Sequence, residues 1–151
     1  SNLFSISFIA SGSRLTMSKI IRSKSPLRIG LAGGGTDVSP YSDIYGGAIL
    51  NATINLYAQT TIEPSDNNKI IIESIDRKHL EELEAGMELP INGHHDLVKG
   101  IYNRMVKEYV GKPLSFRITT NVDVPVGSGL GTSSSLVISI LSAFVQWLNL
   151  P

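Results

Sequence analysis

Cysteine is absent from the 151 residues, which closes every disulfide and Cys-metal reading and leaves the redox compartment undetermined. Histidine is scarce, three residues with two of them adjacent at 94 and 95, and this argues against a histidine-based metal centre. Neither sign of charge is in excess. Lysine plus arginine number 13 and aspartate plus glutamate 13, so the basic face that nucleic-acid binders depend on is not expected. No stretch approaches the roughly 18 uninterrupted apolar residues of a spanning helix. From Pro113 onward there is no lysine, so an anion bound in that last part of the chain must be met by backbone, hydroxyls, a metal ion or basic residues from elsewhere.

What remains is a single domain, long enough to bury roughly 70% of its unfolded surface. Residues 1–16 differ from the rest: apolar and serine-rich, with Arg14 after the apolar part. A secretory signal places its charge first. The segment reads as a tag scar or upstream extension with Met17 as the natural start, a weak signal segment being the alternative. The domain proper is then 17–151.

From Ser18 an extended segment alternates Leu27, Ile29 and Leu31 with Arg28 and Gly30, and breaks at Gly33-Gly34-Gly35 followed by Thr36-Asp37. The bland reading is a turn with Asp37 capping a short segment, Val38 to Tyr45. The region from Gly46 is β-rich: Ile54, Leu56 and Ala58 alternate with Asn55, Tyr57 and Gln59. A turn cluster at 64–68 and a β-branched run from Lys69 to Ile75 predict a hairpin. A short charged helix is expected around Arg77 to Ala85, with Glu81, Glu82 and Glu84 on a solvated face. An amphipathic helix follows Gly93-His94-His95-Asp96, carrying Val98, Tyr102, Val106 and Val110 on one row and Lys99, Asn103, Lys107 and Glu108 outside. Its histidines are read as packing or capping residues.

The stretch that organises the chain is Asp123 to Ser135, in which a strand, Leu114 to Val124, ends at Pro125 and passes through Gly127, Gly129 and Gly131 into Thr132, Ser133, Ser134 and Ser135. Glycines let N–H groups turn inward, and the first turn of the helix beyond adds unpaired N–H groups and the positive end of its dipole. Together they form a cradle for an anion, most naturally a phosphate. The bland alternative is an ordinary loop with Ser/Thr N-caps. It is not a Walker A loop, because no Gly-Lys-Ser/Thr follows. The helix, Leu136 to Leu150, is apolar almost all round and is expected to be buried on several sides, in part by self-association.

SPLRIGLAGGGTD at 25–37 and PVGSGLGTSSS at 125–135, with GGAILNATIN between them, resemble in order and spacing the first two motifs of the GHMP small-molecule kinases. The GLAGGGTD form is most similar to bacterial heptose 7-phosphate kinases and fucokinase-type sugar kinases. The resemblance implies an α/β (α+β) domain of the ribosomal protein S5 domain 2-like fold, with a mixed sheet backed by helices, in a cytoplasmic enzyme that uses ATP and Mg²⁺. It implies that Pro125, Gly127, Ser128, Gly129, Leu130, Gly131, Thr132, Ser133 and Ser134 surround the ATP phosphates, with Ser133 on the metal. Gly34, Gly35, Thr36 and Asp37 would meet a small-molecule sugar, and Arg28 would stabilise charge near the reacting centre. In many members the catalytic aspartate, a glutamate and a third glycine-rich motif lie downstream of the second motif. The 151 residues are therefore read as an N-terminal domain with little or no activity alone. Other GHMP kinases, of galactokinase, mevalonate or homoserine type, are the alternative, as is a non-catalytic binding or dimerising domain.

Overall fold

Period-two alternation over Ile20–Ala32 (β2), Leu50–Pro64 (β3) and Phe116–Val122 (β6) puts one face of each strand into the core. The computed structural model describes residues 19–125 and 127–150, and the backbone of 5–7. Six strands form one mixed sheet in the order β1-β2-β3-β6-β4-β5, where β1 is Ser5–Ser7, β4 Lys69–Ser74 and β5 His79–Glu84. All neighbours are antiparallel except β4 and β6, which are parallel. Within the segment read as a scar or extension, Ser5–Ser7 pairs along the outer edge of β2; Met17 and the rest of that segment lie outside the described residues.

Helices α2 (Asp96–Met105) and α3 (Thr132–Leu148) cover one face of the sheet, and α1 (Tyr41–Tyr45) lies in the long β2–β3 connection. The core joins Ile21, Ile62, Ile70, Ile72, Phe116 and Ile118 of the sheet to Val98, Tyr102, Met105 and Val106 and to Ile140, Ala143 and Phe144. Each large side chain so buried contributes about 1.5–3 kcal/mol. Phe116 stands edge-on to Phe144 and Trp147, with ring centres 5.5 and 5.3 Å away. A row of small residues, Ser135, Ser139 and Ala143, lets α3 lie close against the strands. There the Ser139 hydroxyl meets that of Thr60 at 2.6 Å, and Ser135 Oγ donates to the Pro26 carbonyl at 2.9 Å. The opposite side of α3 is open within this chain, with Ile138 53% exposed, so the expected burial on several sides is met on one face.

Three local expectations are overturned. The β3–β4 hairpin does not form, although its turn does: β6 lies between the two strands. Ser115, just before β6, fills the turn, its carbonyl taking the Ser65 N–H at 2.9 Å and its hydroxyl the Lys69 N–H at 3.1 Å. The charged helix at 77–85 is instead strand β5, paired residue for residue with β4. Leu80 and Leu83 have helical spacing, but Lys78 adopts a positive φ of 52° that turns the chain back, and Leu83 packs on the core. The charges on it are not simply solvated, for Glu82 pairs with Lys69 and Glu81 with Lys99. Lys99, placed outside by the amphipathic pattern, is fully buried. Its ammonium donates to Glu81 Oε1 at 3.0 Å and Asn92 Oδ1 at 2.9 Å. Asn103, placed outside likewise, clamps Leu89 through the N–H (2.7 Å) and carbonyl (2.9 Å) of its backbone. Beyond Met105 the helix widens into a π-turn, Val106–Val110, ended by Gly111 at φ 73°.

Beyond Leu27 and before Tyr57 the β2–β3 pair leaves the core as a two-stranded ribbon. Ile29, Leu31, Leu50 and Leu56 on it are all partly open, Leu31 to 59%. This ribbon carries the GGGTD turn away from the helices.

Candidate functional site at two glycine turns

The loop between β6 and α3 is held at its stem by Asp123. Its carboxylate accepts the Tyr57 N–H at 2.8 Å and its own N–H returns to the Tyr57 carbonyl at 3.0 Å. Gly127, Gly129 and Gly131 all take positive φ, 83°, 72° and 69°, and no atom comes within 4 Å of where a side chain would start at Gly127 or Gly129. The inner surface is therefore bare backbone. Val126 lies outside the described residues. Helix α3 begins at Thr132 with no side-chain cap on its N-terminus; Thr132 is half-buried and Ser133 and Ser134 exposed. The alternative of Ser/Thr N-caps is thus not what is found: these hydroxyls stand beside unpaired N–H groups at the positive end of a 17-residue helix. Bare N–H groups, hydroxyl oxygens and a helix terminus are the donor set that a polyphosphate with a hard cation requires.

The missing positive charge arrives from β2. Arg28 donates its N–H to the Leu130 carbonyl at 3.1 Å, and its side chain lies against Gly131 so closely that an added methyl there would come within 3.3 Å of its Cγ and Nε. With Ser135 bonded to Pro26, the first motif is stitched to the second along residues 26–28. The pairing register between β2 and β3 shifts between Pro26 and Arg28.

The GGGTD turn is built differently. Gly33 (φ 76°) and Gly47 are wedged against backbone: a methyl on Gly33 would stand 1.9 Å from the Ala48 carbonyl oxygen, and one on Gly47 2.2 Å from that of Thr36. Between them the Thr36 hydroxyl reaches the Gly33 carbonyl at 2.7 Å and the Ala48 carbonyl at 3.1 Å, and accepts the Ala48 N–H at 3.1 Å. Gly34 and Gly35 have open space in front of them. Asp37 is exposed and does not cap α1, which starts at Tyr41 without a side-chain cap.

Sequence reasoning missed the wall beside the loop. Asp76 and Arg77 from the β4–β5 turn, Leu97 from α2, and Val122 and Val124 form a notch with Thr132, Ser133 and Leu136. Arg77 is a second cation on the same cleft. No local signal marks these residues, because three separate segments contribute them. All three histidines gather in one cluster: His79 Nδ1 lies 2.7 Å from His95 Nε2, and the His94 ring stacks on His79 at 5.1 Å. The histidines pack as expected, but His95, at the N-cap position with φ 51°, makes no side-chain cap. Burial, and then the neighbouring His79, push the His95 imidazole below its ordinary value, with Glu81 pulling the other way. Burial raises the Tyr102 hydroxyl, opposed by the Leu114 N–H it accepts. It stays protonated and donates to the Gly86 carbonyl at 2.6 Å, tying the stretch before α2 to the core. Among the described residues no cluster of three metal-ligating His, Asp or Glu side chains occurs, and no helix is long and apolar enough to cross a membrane.

Comparison with known proteins bears on the family and the fold. Residues 96–151 match the family of GHMP kinases N terminal domains. The chain is 51% identical over 133 residues to a D-glycero-alpha-D-manno-heptose 7-phosphate kinase of Campylobacter jejuni, a match over 88% of this chain and 39% of the relative. Among solved structures, a D-glycero-D-manno-heptose 1-phosphate kinase from Bacteroides thetaiotaomicron superimposes with a TM-score of 0.83 at 56% identity, over 87% of this chain and 43% of that one. The mevalonate kinase of Methanococcus jannaschii, 20% identical with a TM-score of 0.71 over 87% and 41%, shares the fold. The chain thus spans about two fifths of the length of these relatives. Its mixed sheet backed by helices is the ribosomal protein S5 domain 2-like fold of these kinases, and the chain is a GHMP kinase N-terminal domain.

Proposed function

We propose that this domain is the ATP-binding part of a cytoplasmic small-molecule kinase that transfers the γ-phosphoryl group to a sugar or sugar phosphate. The acceptor is of the heptose 7-phosphate type and reacts at its anomeric hydroxyl. The observation that carries this is the seating of Arg28 on Gly131, which sets a guanidinium against an uncapped, glycine-lined helix N-terminus. The similarity to heptose phosphate kinases supports the choice of acceptor.

In this reading Pro125, Gly127 to Gly131 and Thr132 to Ser134 hold the ATP phosphates through backbone N–H groups and hydroxyls, with Ser133 as the Mg²⁺ ligand. Held there, Mg²⁺ would supply positive charge against the phosphates. Phosphoryl transfer is mainly a matter of positioning and electrostatics. Arg28 stabilises negative charge on the transferring group. Asp37 accepts hydrogen bonds from sugar hydroxyls while Gly34 and Gly35 let the ring approach bare backbone. Asp76, Arg77 and Leu97, which line a notch with Thr132 and Ser133, meet the nucleoside.

The test is phosphoryl transfer from ATP with Mg²⁺ to a panel of sugars and heptose phosphates, using this chain together with whatever follows it in its gene. Turnover with heptose 7-phosphate, lost by at least a hundredfold in Arg28→Ala and Asp37→Ala, is the expected result. Transfer to no sugar in the panel rejects the acceptor.

A further inference from the structure

We propose that Thr36 is a positioning residue whose hydroxyl clasps the GGGTD turn to the Gly46-Gly47-Ala48 segment and so fixes where Asp37 presents its carboxylate. This rests on the sugar-kinase reading and changes the role of Thr36 within it. A hydroxyl has one proton and two lone pairs. The Thr36 proton lies between the carbonyls of Gly33 and Ala48, and one lone pair takes the Ala48 N–H. Little capacity remains for a ligand. Two of the three contacts, both to Ala48, instead join chain segments 12 residues apart in sequence, and the third closes the turn on Gly33.

The fit is two-sided. Gly33 presses on the Ala48 carbonyl and Gly47 on the Thr36 carbonyl, each with no room for a side chain, so the segments interleave as well as bond. Thr36 N–H closes the turn on the Gly33 carbonyl at 3.1 Å. Asp37 follows immediately, exposed, and no helix cap directs it. On a ribbon whose apolar residues stand open, the clasp is what fixes the backbone that bears this carboxylate. Orientation of this kind governs how well a bound acceptor is placed, and misplacement by about 1 Å costs roughly a hundredfold in rate.

The experiment compares Thr36→Val and Thr36→Ser in the protein extended to the end of its gene, with heptose 7-phosphate and ATP as substrates and amide hydrogen exchange as a second readout. Valine removes the hydroxyl at nearly constant volume; serine keeps it. Thr36→Val should raise the KM for the sugar about tenfold or more, leave the KM for ATP unchanged, and speed exchange at the Ala48 amide about tenfold, the scale of one lost hydrogen bond. Thr36→Ser should stay within about threefold of wild type in all three. If Thr36→Val does not fold, Thr36→Ala is measured in the same way. Loss of sugar affinity with Ala48 exchange unchanged overturns the inference, since the hydroxyl then touches substrate directly. Equal losses in both variants also overturn it. If the wild-type protein turns over no sugar, the kinase reading fails, whereas Ala48 exchange still decides whether the clasp exists.

Discussion

Two glycine-rich turns serve this domain, and they use the absence of a side chain in opposite ways. In the loop between β6 and α3, Gly127 and Gly129 face open space, so the missing side chains leave the backbone uncovered. In the GGGTD turn, Gly33 and Gly47 are pressed onto carbonyl oxygens, so the missing side chains let the protein close on itself. Gly131 stands between these cases, filled by a side chain, Arg28, rather than by backbone. The motifs look alike in one dimension because composition records that glycine is needed and not what occupies the space it leaves.

Substitution by alanine separates the cases. The largest effect is expected at Gly33 and Gly47, where a methyl must displace backbone. Gly33→Ala adds a left-handed φ to that clash and should cost about 3 kcal/mol in urea unfolding. A loss below about 1 kcal/mol would show that the turn is not closed. Gly129→Ala meets no atom but keeps a φ of 72°, and should cost about 1–2 kcal/mol while weakening binding of a nonhydrolysable ATP analogue about tenfold by calorimetry. Unchanged affinity would remove the loop from the site. Gly34→Ala, with neither clash nor positive φ, should stay within about 0.5 kcal/mol of wild type, and an effect on sugar KM alone would mark it as a contact surface.

The start of α2 offers a pH handle on the stability of the domain. His95 titrates below its ordinary value in the folded protein. The unfolded chain therefore binds the proton first, so stability is present above about pH 6.5 and is lost as the pH falls below it. Urea midpoints should decline from pH 7 toward 5, and His95→Asn should flatten that decline. A profile equally steep in His95→Asn would assign the acid sensitivity to other groups.

The strands β2, β3 and β6, helix α3 and both turns were legible in the sequence because each rests on a local signal, whether alternation, a glycine run or an apolar helix. What was not legible depends on partners distant in sequence. The run from Leu80 to Glu84 reads as helix until β4 is available to pair with it, and Lys99 reads as solvated until Glu81 and Asn92 surround it. The same limit applies to the site. The anion cradle could be read from Gly127 to Ser134, and Arg28 and Asp37 entered by family resemblance. The route by which Arg28 reaches Gly131, and the notch of Asp76, Arg77 and Leu97, come from the tertiary arrangement alone.

The insertion of β6 between β3 and β4 also fixes the order of events as the chain leaves the ribosome. Synthesis delivers the β2–β3 ribbon and the β4–β5 hairpin first, as two separate pieces, each with an unsatisfied inner edge. Only when Phe116–Val122 emerges can one strand bridge both, across sequence separations that make such pairing slow. During that interval the nascent protein bears two unpaired strand edges, which are prone to aggregation. The bridging strand leads straight into the glycine loop, so the loop and the uncapped start of α3 take shape in the same act that seals the sheet.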